Sequence, residues 1–401
     1  MSTPMTPARP LVRPSLLIGV YAFFAYVVAG GLLKSFRWDF FFLAEAFLHG
    51  HLDVAYPFPG AVDTVTIDGR VYLPFGPFPA VLFMPLVALV GGARSLISFE
   101  PLINSAMAAF DVALCWALLA RYDGGSARRR IWLVVLFAFS TPLWWITIRG
   151  GVWHTSQIVA TGITLIGLLE VSGRRRGWVL GVVAAAGFLT RAPLIFAAPL
   201  WIFAAWLGPA PNSGRLDRAR VGQVATVVAC VVGAVALSMV YNAARFGSPL
   251  ESGYGLAVLA PELAGTRDHG LFSLAYLPRN LDLFLLRLPG IVPPPLFLQP
   301  DGFGLSILIT SPGLLLALFA DHRRRIAVAC AVTAVAVLLP SLLYYGGGWL
   351  QMGFRYFLDS IPFVMVLVAL GARRRFGGWW RVLVAAGVLV GVSGLVYAYR
   401  V

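Results

Sequence analysis

Residues 323–345 read RRRIAVACAVTAVAVLLPSLLYY, an arginine triplet followed at once by an apolar run. A helix rises about 1.5 Å per residue, so about 20 apolar residues cross the hydrocarbon layer of a bilayer. Loops rich in arginine stay on the cytoplasmic side of such helices. The stretch therefore predicts a transmembrane helix that starts at the cytoplasmic surface.

The rest of the chain has the same composition. Hydrophobic residues occupy 59% of its 401 positions and charged residues only 12%, whereas soluble proteins carry about 25% charged residues. Apolar runs follow one another along the whole chain, which predicts an all-α polytopic membrane protein with a single transmembrane domain over residues 1–401. The first run has spanning length and no small-residue cleavage site behind it, so a cleaved signal peptide is not expected.

About eleven transmembrane helices are predicted, two of them short enough to be tilted or half-buried. Their approximate bounds are 15–35, 101–120, 131–149, 152–171, 178–190, 192–207, 221–241, 304–320, 326–345, 356–372 and 379–397.

One further apolar run, 71–92, is not predicted to cross the membrane. It contains YLPFGPFP at 72–79, and prolines are poorly tolerated inside a spanning helix. The 13 residues that remain, 80–92, suit an interfacial or re-entrant segment. If this run crossed, every later arginine triplet would be moved to the outside, against the positive-inside rule.

With this threading, the N-terminus and most of the 31 basic residues are cytoplasmic, whereas most acids lie outside. Two large external loops result, residues 34–100 and residues 242–303. The first holds a helix at 40–49 and the segment 80–92, both interfacial, and the second holds an amphipathic stretch at 271–288. The cytoplasmic loops are short, so function is expected on the outer face.

Charge and cysteine content exclude other classes. The net charge of +14 comes from short arginine clusters between apolar runs, which are topology signals rather than a nucleic-acid surface. Cys115, Cys230 and Cys330 lie inside apolar runs and are predicted to be small buried residues. Abundant arginine, alanine, glycine and valine with almost no lysine indicate a GC-rich bacterial genome, hence a bacterial cytoplasmic (inner) membrane.

Asp39 is the first candidate for chemistry. It lies among aromatic residues where the first helix leaves the membrane, and a carboxylate at that position could act as a general base. The alternative is that Asp39 caps the helix at 40–49, since aspartate is favoured at that position. The two roles are compatible.

Several external basic residues are candidates for binding a lipid phosphate. Arg191 and Arg355 lie at the outer ends of apolar runs, where a guanidinium can form paired charged hydrogen bonds with phosphate. Arg245 is a weaker candidate for the same role, and Glu45, His154 and Arg149 are possible substrate contacts. Ordinary interfacial anchoring is the alternative for each arginine.

The acids and histidines at 45–53 and the buried Asp111 are not predicted to take part in chemistry. A metal site from Glu45, His49, His51 and Asp53 has no ligand motif to support it, and surface polar residues ending a helix explain these positions. No metal ligand is therefore predicted, although a divalent metal is not ruled out as a cofactor. Asp111, inside the run 101–120, is expected to be structural and to pair with a polar residue such as Asn104.

Five segments resemble the GT-C superfamily of polytopic glycosyltransferases. They are WDFFFLAEAFLHG at 38–50, the proline-rich entry at 72–79, FLTR at 188–191, and the pair YNAARFGSP at 241–249 and GFRY at 353–356. The resemblance is to the bacterial, glycosyltransferase family 39-like branch related to protein O-mannosyltransferases and aminoarabinose transferases. Relatives often carry two adjacent acids in the first loop, whereas Phe40 follows Asp39 here.

The resemblance implies a polyprenyl-phosphate-linked sugar as donor and a glycan, lipid or protein as acceptor. Asp39 would deprotonate the acceptor hydroxyl, and the sugar would be transferred with inversion. Arg191, Arg355 and Arg245 would hold the lipid phosphate. Two other functions remain open: a transporter or lipid flippase, and a non-catalytic assembly subunit. A transporter usually places charges near the bilayer midplane and shows paired repeats, and neither is evident in the sequence.

The threading makes a prediction for labelling in whole cells. Arg129→Cys, Arg175→Cys and Arg324→Cys should each be shielded from an impermeant thiol reagent, because all three positions are expected to be cytoplasmic. Asp268→Cys, in the second external loop, should be labelled. Labelling at the three arginine positions would overturn the threading.

Overall fold

The computed structural model describes residues 12–30, 37–55, 61–208, 218–263 and 265–400. This part of the chain is helical almost throughout. Its α-helices are α1 Val12–Gly30, α2 Asp39–Leu48, α3 Phe78–Val90, α4 Glu100–Tyr122, α5 Ala127–Phe139, α6 Pro142–Arg149, α7 Val152–Val171, α8 Gly177–Thr190, α9 Ala198–Trp206, α10 Arg218–Phe246, α11 Leu277–Leu281, α12 Ile307–Thr310, α13 Arg325–Leu343, α14 Ile361–Arg375 and α15 Gly378–Ala398.

Shorter elements join these helices. Two antiparallel hairpins are present, β1 Val65–Ile67 with β2 Arg70–Tyr72, and β3 Gly290–Ile291 with β4 Leu298–Gln299. The 3₁₀ segments are Ala93–Phe99, Ala192–Ala197, Pro261–Leu263, Leu274–Tyr276, Pro312–Phe319 and Arg355–Asp359, and a π turn covers Asp282–Leu286.

Each of the eleven predicted runs is at least partly helical, but the count of eleven spans is not confirmed. Among the described residues, six helices are long and apolar enough to cross a bilayer. A seventh is gained if α5 and α6, which meet at a 48° bend, count as one span. The six are Val12–Gly30, Ala93–Tyr122, Val152–Val171, Arg218–Phe246, Arg325–Leu343 and Gly378–Ala398.

The remaining runs are short or broken, and proline explains several of the breaks. Pro142, Pro193 and Pro312 each occupy the first turn of a new helical segment, the position where a missing N–H costs nothing. The predicted run 304–320 is thus divided into α12 and a 3₁₀ segment. Likewise, 192–207 begins as a 3₁₀ turn before α9.

Close helix packing holds these segments together. The position of Gly371 in α14 leaves no room for a Cβ, which would lie 2.0 Å from the Leu316 carbonyl oxygen. A Cβ at Gly19 of α1 would lie 3.2 Å from the Ala109 carbonyl oxygen of α4, which is a tight contact but a less severe one. Small residues at such contacts let helix backbones approach each other in lipid, where no hydrophobic force drives association.

The polar ends of the helices separate into two groups, as the threading predicts. At one end, Arg130 pairs with Asp123 (2.8 Å) and Arg374 with Asp321 (3.0 Å). At the other end, the Gly151 amide donates to Glu100 (2.9 Å) and Arg191 pairs with Asp359 (2.7 Å). The first group contains the arginine clusters and the second contains the candidate chemistry. Which end faces the cytoplasm stays a prediction.

Helix α3 is 13 residues long, and both of its ends lie at the end of the molecule that carries the candidate chemistry. Before it, Gly76 packs against the Leu189 carbonyl at the end of α8, with no space for a Cβ. After it, the Ala93 amide donates to the Glu45 carboxylate of α2 (3.3 Å). At 13 residues, α3 is shorter than the helices of spanning length, and its interfacial placement stays a prediction.

Candidate functional site

The candidate site lies where the ends of several segments meet. Its side chains come from the start of α2, the turn before β1, the first turn of α7, the end of α8 and the 3₁₀ segment Arg355–Asp359. The α7 turn, residues 153–156, touches the others and is the centre of the arrangement.

The first turn of α7 is fixed by the Glu100 carboxylate at the start of α4. Its Oε1 accepts hydrogen bonds from the Gly151 amide (2.9 Å), from Asn104 (3.2 Å) and from Thr155 (3.4 Å). Thr155 also donates to the Asn104 side chain (3.0 Å). A carboxylate at the N-terminus of a helix is stabilised by the free amides there.

Asp39 is completely buried and forms a two-pronged ion pair with Arg37. The Arg37 Nε donates to Oδ2 (2.9 Å) and Nη2 donates to Oδ1 (2.7 Å). The capping interpretation of Asp39 is wrong, because Trp38 is the N-cap residue and its side chain makes no cap bond, while Asp39 is the first helical residue. The Asp39 carboxylate accepts hydrogen bonds from Arg37 instead.

Arg37 connects this pair to the first turn of α7. Its guanidinium lies over the Trp153 ring, 4.9 Å from the centroid, and Nη1 donates to the Val62 carbonyl. The Trp153 indole in turn donates to Asp63 Oδ2 at 2.7 Å. Asp39 and Asp63 are thus held by one chain of contacts through Arg37 and Trp153.

Asp63 is half-buried and has a positive φ of 58°, a backbone conformation that aspartate tolerates better than most residues. Its amide donates to the Val258 carbonyl (2.7 Å) in the second loop. Burial raises the pKa of the Asp63 carboxyl above its usual value, although the Arg37 charge and the Trp153 hydrogen bond act against this shift. The second oxygen, Oδ1, accepts no protein hydrogen bond among the described residues.

Arg191 and Asp359 form a second ion pair on the other side of α7. The Arg191 Nε donates to Asp359 Oδ2 at 2.7 Å, and Nη1 reaches the Ser156 hydroxyl at 3.5 Å. The guanidinium lies 5.8 Å from the centroid of the Tyr356 ring. The end of α8 is therefore joined to α7 and to the segment 355–359.

Arg355 differs from its neighbours because it is buried without a carboxylate partner. It is 6% exposed, yet no acid of the described residues lies within ion-pair distance, and its Nε has no hydrogen-bond partner there. Its guanidinium faces the Tyr356 ring (4.8 Å) and reaches the Tyr356 hydroxyl (3.5 Å). Its carbonyl accepts from Gln157 of α7 (2.7 Å). Asp63 and Asp359 are close enough for its charge to act on their carboxyl groups, but neither forms a direct ion pair with it. A buried guanidinium without a direct partner can bind an anion.

Tyrosines form one wall around these charges. The rings of Tyr344 and Tyr345 are 4.5 Å apart, and Tyr344 lies 6.4 Å from Tyr254 and 6.3 Å from Tyr356. Burial raises the pKa of Tyr254, so its hydroxyl keeps its proton. These rings pack against one another beside the charged residues.

The structure brings together Asp39, His154, Arg191 and Arg355 of the predicted site residues. His154 is 5% exposed and its ring contacts the Gly150 carbonyl and the Trp145 ring (5.2 Å). Arg149 is buried at the end of α6, just before α7. Glu45 lies further along α2 and connects it to Ala93.

Arg245 lies outside this group and is already engaged. Its guanidinium donates to the carbonyls of Tyr241 (3.2 Å) and Leu73 (2.5 Å) and to the Asn242 side chain (3.0 Å). It also lies 3.6 Å from the centroid of the Tyr241 ring. These contacts join α10 to the first loop, so the geometry favours a structural role, and its predicted phosphate contact stays a prediction.

Sequence reasoning missed Asp63, Trp153 and Asp359 as members of the site. In the predicted threading, Asp63 and Asp359 are external acids without an assigned role. The spacing of Asp359 and Arg355 was a signal in the sequence, since residues four apart in a helical segment lie on the same face. Nothing in the sequence around Asp63 indicates that its side chain lies close to Arg37 and Trp153.

Two further expectations concern metals and Asp111. Among the described residues, no group of three or more His, Cys, Asp or Glu side chains is arranged to hold a metal ion, and both oxygens of Asp39 are occupied by Arg37. The expected pairing of Asp111 with Asn104 is wrong, because Asn104 bonds to Glu100 and Thr155. Asp111 is buried in α4, and its Oδ2 has no partner in the described part of the chain.

No protein-family model and no curated protein sequence matches this chain. Among solved structures, it is similar to the Archaeoglobus fulgidus oligosaccharyltransferase in its apo form, with 15% sequence identity and a TM-score of 0.35. The match covers 96% of this chain and 55% of that protein, so the chain spans about half its length. A likeness of this size does not assign a family or an activity.

Proposed function

We propose that the protein is a membrane glycosyltransferase of the GT-C kind that moves a sugar from a polyprenyl-phosphate-linked donor to an acceptor hydroxyl. The reaction would take place at the outer face of a bacterial cytoplasmic membrane. The observation that carries the proposal is the buried guanidinium of Arg355, which lacks a carboxylate partner among the described residues and lies beside a group of carboxylates and tyrosines.

Arg355 is the proposed first ligand of the donor phosphate. A phosphate would supply the negative charge and the hydrogen-bond acceptors that its guanidinium lacks. Arg191 would be the second ligand, although its pairing with Asp359 already compensates most of its charge. As the bond from the anomeric carbon to the phosphate oxygen breaks, the electron pair leaves with the phosphate, and these two cations would stabilise the developing charge.

Asp39 is the proposed catalytic carboxylate, and Asp63 is the second carboxylate at the same place. The acceptor oxygen would form the new bond to the anomeric carbon while its proton passes to a carboxylate. Both oxygens of Asp39 face Arg37, so Asp39 could take the proton only after Arg37 shifts towards the donor phosphate. Asp63 has one oxygen free without such a shift, and its raised pKa makes it the stronger base.

Arg149, His154 and Glu45 stay proposed substrate contacts. His154 lies in the first turn of α7 and Arg149 at the end of α6, whereas Glu45 lies further along α2 and contacts Ala93. The prenyl tail of the donor would remain in the membrane beside the site.

A transporter or flippase is the second candidate function. Within the described residues, the charged side chains collect at the two ends of the helices, and Asp111 is an exception in the middle of α4. Transporters instead bind their substrate near the midplane. The distribution of charge therefore favours the transferase.

The first prediction from this proposal concerns sugar transfer. Membranes with the wild-type chain should transfer label from one member of a panel of radiolabelled polyprenyl-phosphate sugars. Asp39→Asn should lose transfer by about 10² to 10⁴-fold, since the carboxylate no longer accepts a proton or balances Arg37. Full activity in a folded Asp39→Asn protein would remove Asp39 from the mechanism. Lipid flux in proteoliposomes without any sugar transfer would favour the flippase instead.

A second prediction concerns donor affinity. Arg355→Gln should weaken binding of the donor lipid by about tenfold or more, because a charged hydrogen-bond pair with phosphate is lost. Arg287→Gln is the matched control, since Arg287 lies on the same side but pairs with Asp282 and Asp301. Equal donor affinity in wild type and Arg355→Gln, measured by equilibrium binding to the purified protein, would contradict the phosphate role.

The raised pKa of Asp63 makes a third prediction. A base must be ionised, so transfer should fall as the pH is lowered through a value above the usual aspartate pKa of about 3.9. The residual activity of Asp63→Asn should lack this acidic limb, because asparagine does not titrate. An acidic limb that is unchanged in Asp63→Asn would assign the titration to another group.

A further inference from the structure

A cavity lies at the end of the molecule opposite the candidate site. Its volume is about 450 Å³, within the range of about 300–1,000 Å³ that small-molecule sites occupy. One wall is α9, through Pro199, Leu200 and Phe203. The other wall is α13, through Val328, Ala329, Val332 and Thr333. Both walls are apolar apart from the Thr333 hydroxyl.

The cavity is an elongated groove that follows α13. Its α13 residues, from Arg325 to Thr333, are spaced by three or four and so form one stripe along the helix. This stripe is about 12 Å long. Helix α13 packs closely on the segment Ala192–Ala197 but only slightly on α9, so the two helices separate towards the arginine end. Val328 and Val332 remain 46% and 64% exposed.

The mouth of the groove is positively charged. His322, Arg323 and Arg325 line it, and all three are exposed. The nearby Asp321 pairs with Arg324 (3.6 Å) and with Arg374 (3.0 Å). Arg323 and Arg325 have no carboxylate within ion-pair distance among the described residues. Two uncompensated guanidinium groups thus stand at the end of an apolar groove.

We propose that this groove binds one anionic phospholipid of the membrane leaflet at the arginine end. The lipid phosphodiester would accept hydrogen bonds from Arg323 and Arg325, and one acyl chain would lie along the Val328–Val332 stripe between α9 and α13. The positive charge at the mouth and the apolar walls of the groove together favour an anionic phospholipid. A small soluble anion would leave the apolar walls uncovered, and a zwitterionic lipid would bring a cation next to the arginines.

The proposal does not depend on the proposed catalytic function, because the groove shares no residue with the candidate site. By the predicted threading, the leaflet is the cytoplasmic one. That leaflet carries the negative surface potential that attracts clustered arginines at membrane surfaces.

The test uses the purified full-length chain in a mild detergent, with bound lipid counted by native mass spectrometry. Phosphatidylglycerol should be retained in preference to phosphatidylcholine. The double variant Arg323→Gln with Arg325→Gln should lose this retention by about tenfold or more. The double variant Arg324→Gln with Arg374→Gln is the matched control, since it also removes two charges near Asp321 but lies outside the groove lining, and it should retain the lipid.

A second variant distinguishes the effect of the apolar groove from the effect of the arginine charge. Val332→Trp fills the groove from an exposed position and keeps both arginines, so it should also reduce retention of phosphatidylglycerol. Equal retention of the two lipids, or unchanged retention in the double variant, would overturn the proposal. Displacement by millimolar inorganic phosphate would show a free-anion site instead, and preference for a polyprenyl phosphate over phosphatidylglycerol would show a donor-type lipid site. Either result would also overturn it.

Discussion

A charged side chain among lipid-facing helices must reach water or meet an opposite charge, because an ion alone in a low-dielectric medium is too costly. This constraint organises the end of the molecule that carries the site. Arg37 holds Asp39, Arg191 holds Asp359, and Glu100 accepts from the first turn of α7. Each pair joins elements far apart in sequence or fixes the start of a helix. Arg355 forms no direct ion pair among the described residues, although it lies beside Asp63 and Asp359.

The first turn of α7 connects the two halves of the site. Trp153 contacts Arg37 and donates to Asp63, while Ser156 and Gln157 reach Arg191 and the Arg355 carbonyl. Glu100 fixes this turn in place through the Gly151 amide. Residues 153–157 of α7 thus set the spacing between the carboxylates and the cations. Such preorganisation of charged groups by a rigid element is how a site stabilises a transition state without reorganising itself.

The sequence was sufficient to predict where most helices lie and which helix ends carry the arginine clusters. The length of an apolar run and a cluster of arginines are both local signals. The sequence was also sufficient for the short length of α3, because prolines precede the helix and only 13 residues follow. It could not show that Asp39 pairs with Arg37 rather than capping α2. The segment Arg37-Trp38-Asp39 at the start of the helix is compatible with both roles. Asp63, Trp153 and Asp359 were missed because their roles arise from contacts between the first loop, α7 and the segment before α14. Contacts between residues so far apart in sequence depend on the fold, so they could not be predicted from local patterns.

The shortness of α8 has a consequence for where the reaction would happen. Its 14 residues reach only about 21 Å, whereas the hydrocarbon layer is about 30 Å thick. Arg191 follows the last residue of α8, so it lies deeper than the lipid headgroups unless the bilayer thins around the protein. A sugar carried on a lipid phosphate would therefore be drawn inwards, and an acceptor from the aqueous side would enter a recess to meet it. Depth alone would then exclude bulky acceptors and most of the bulk water that competes with a hydroxyl.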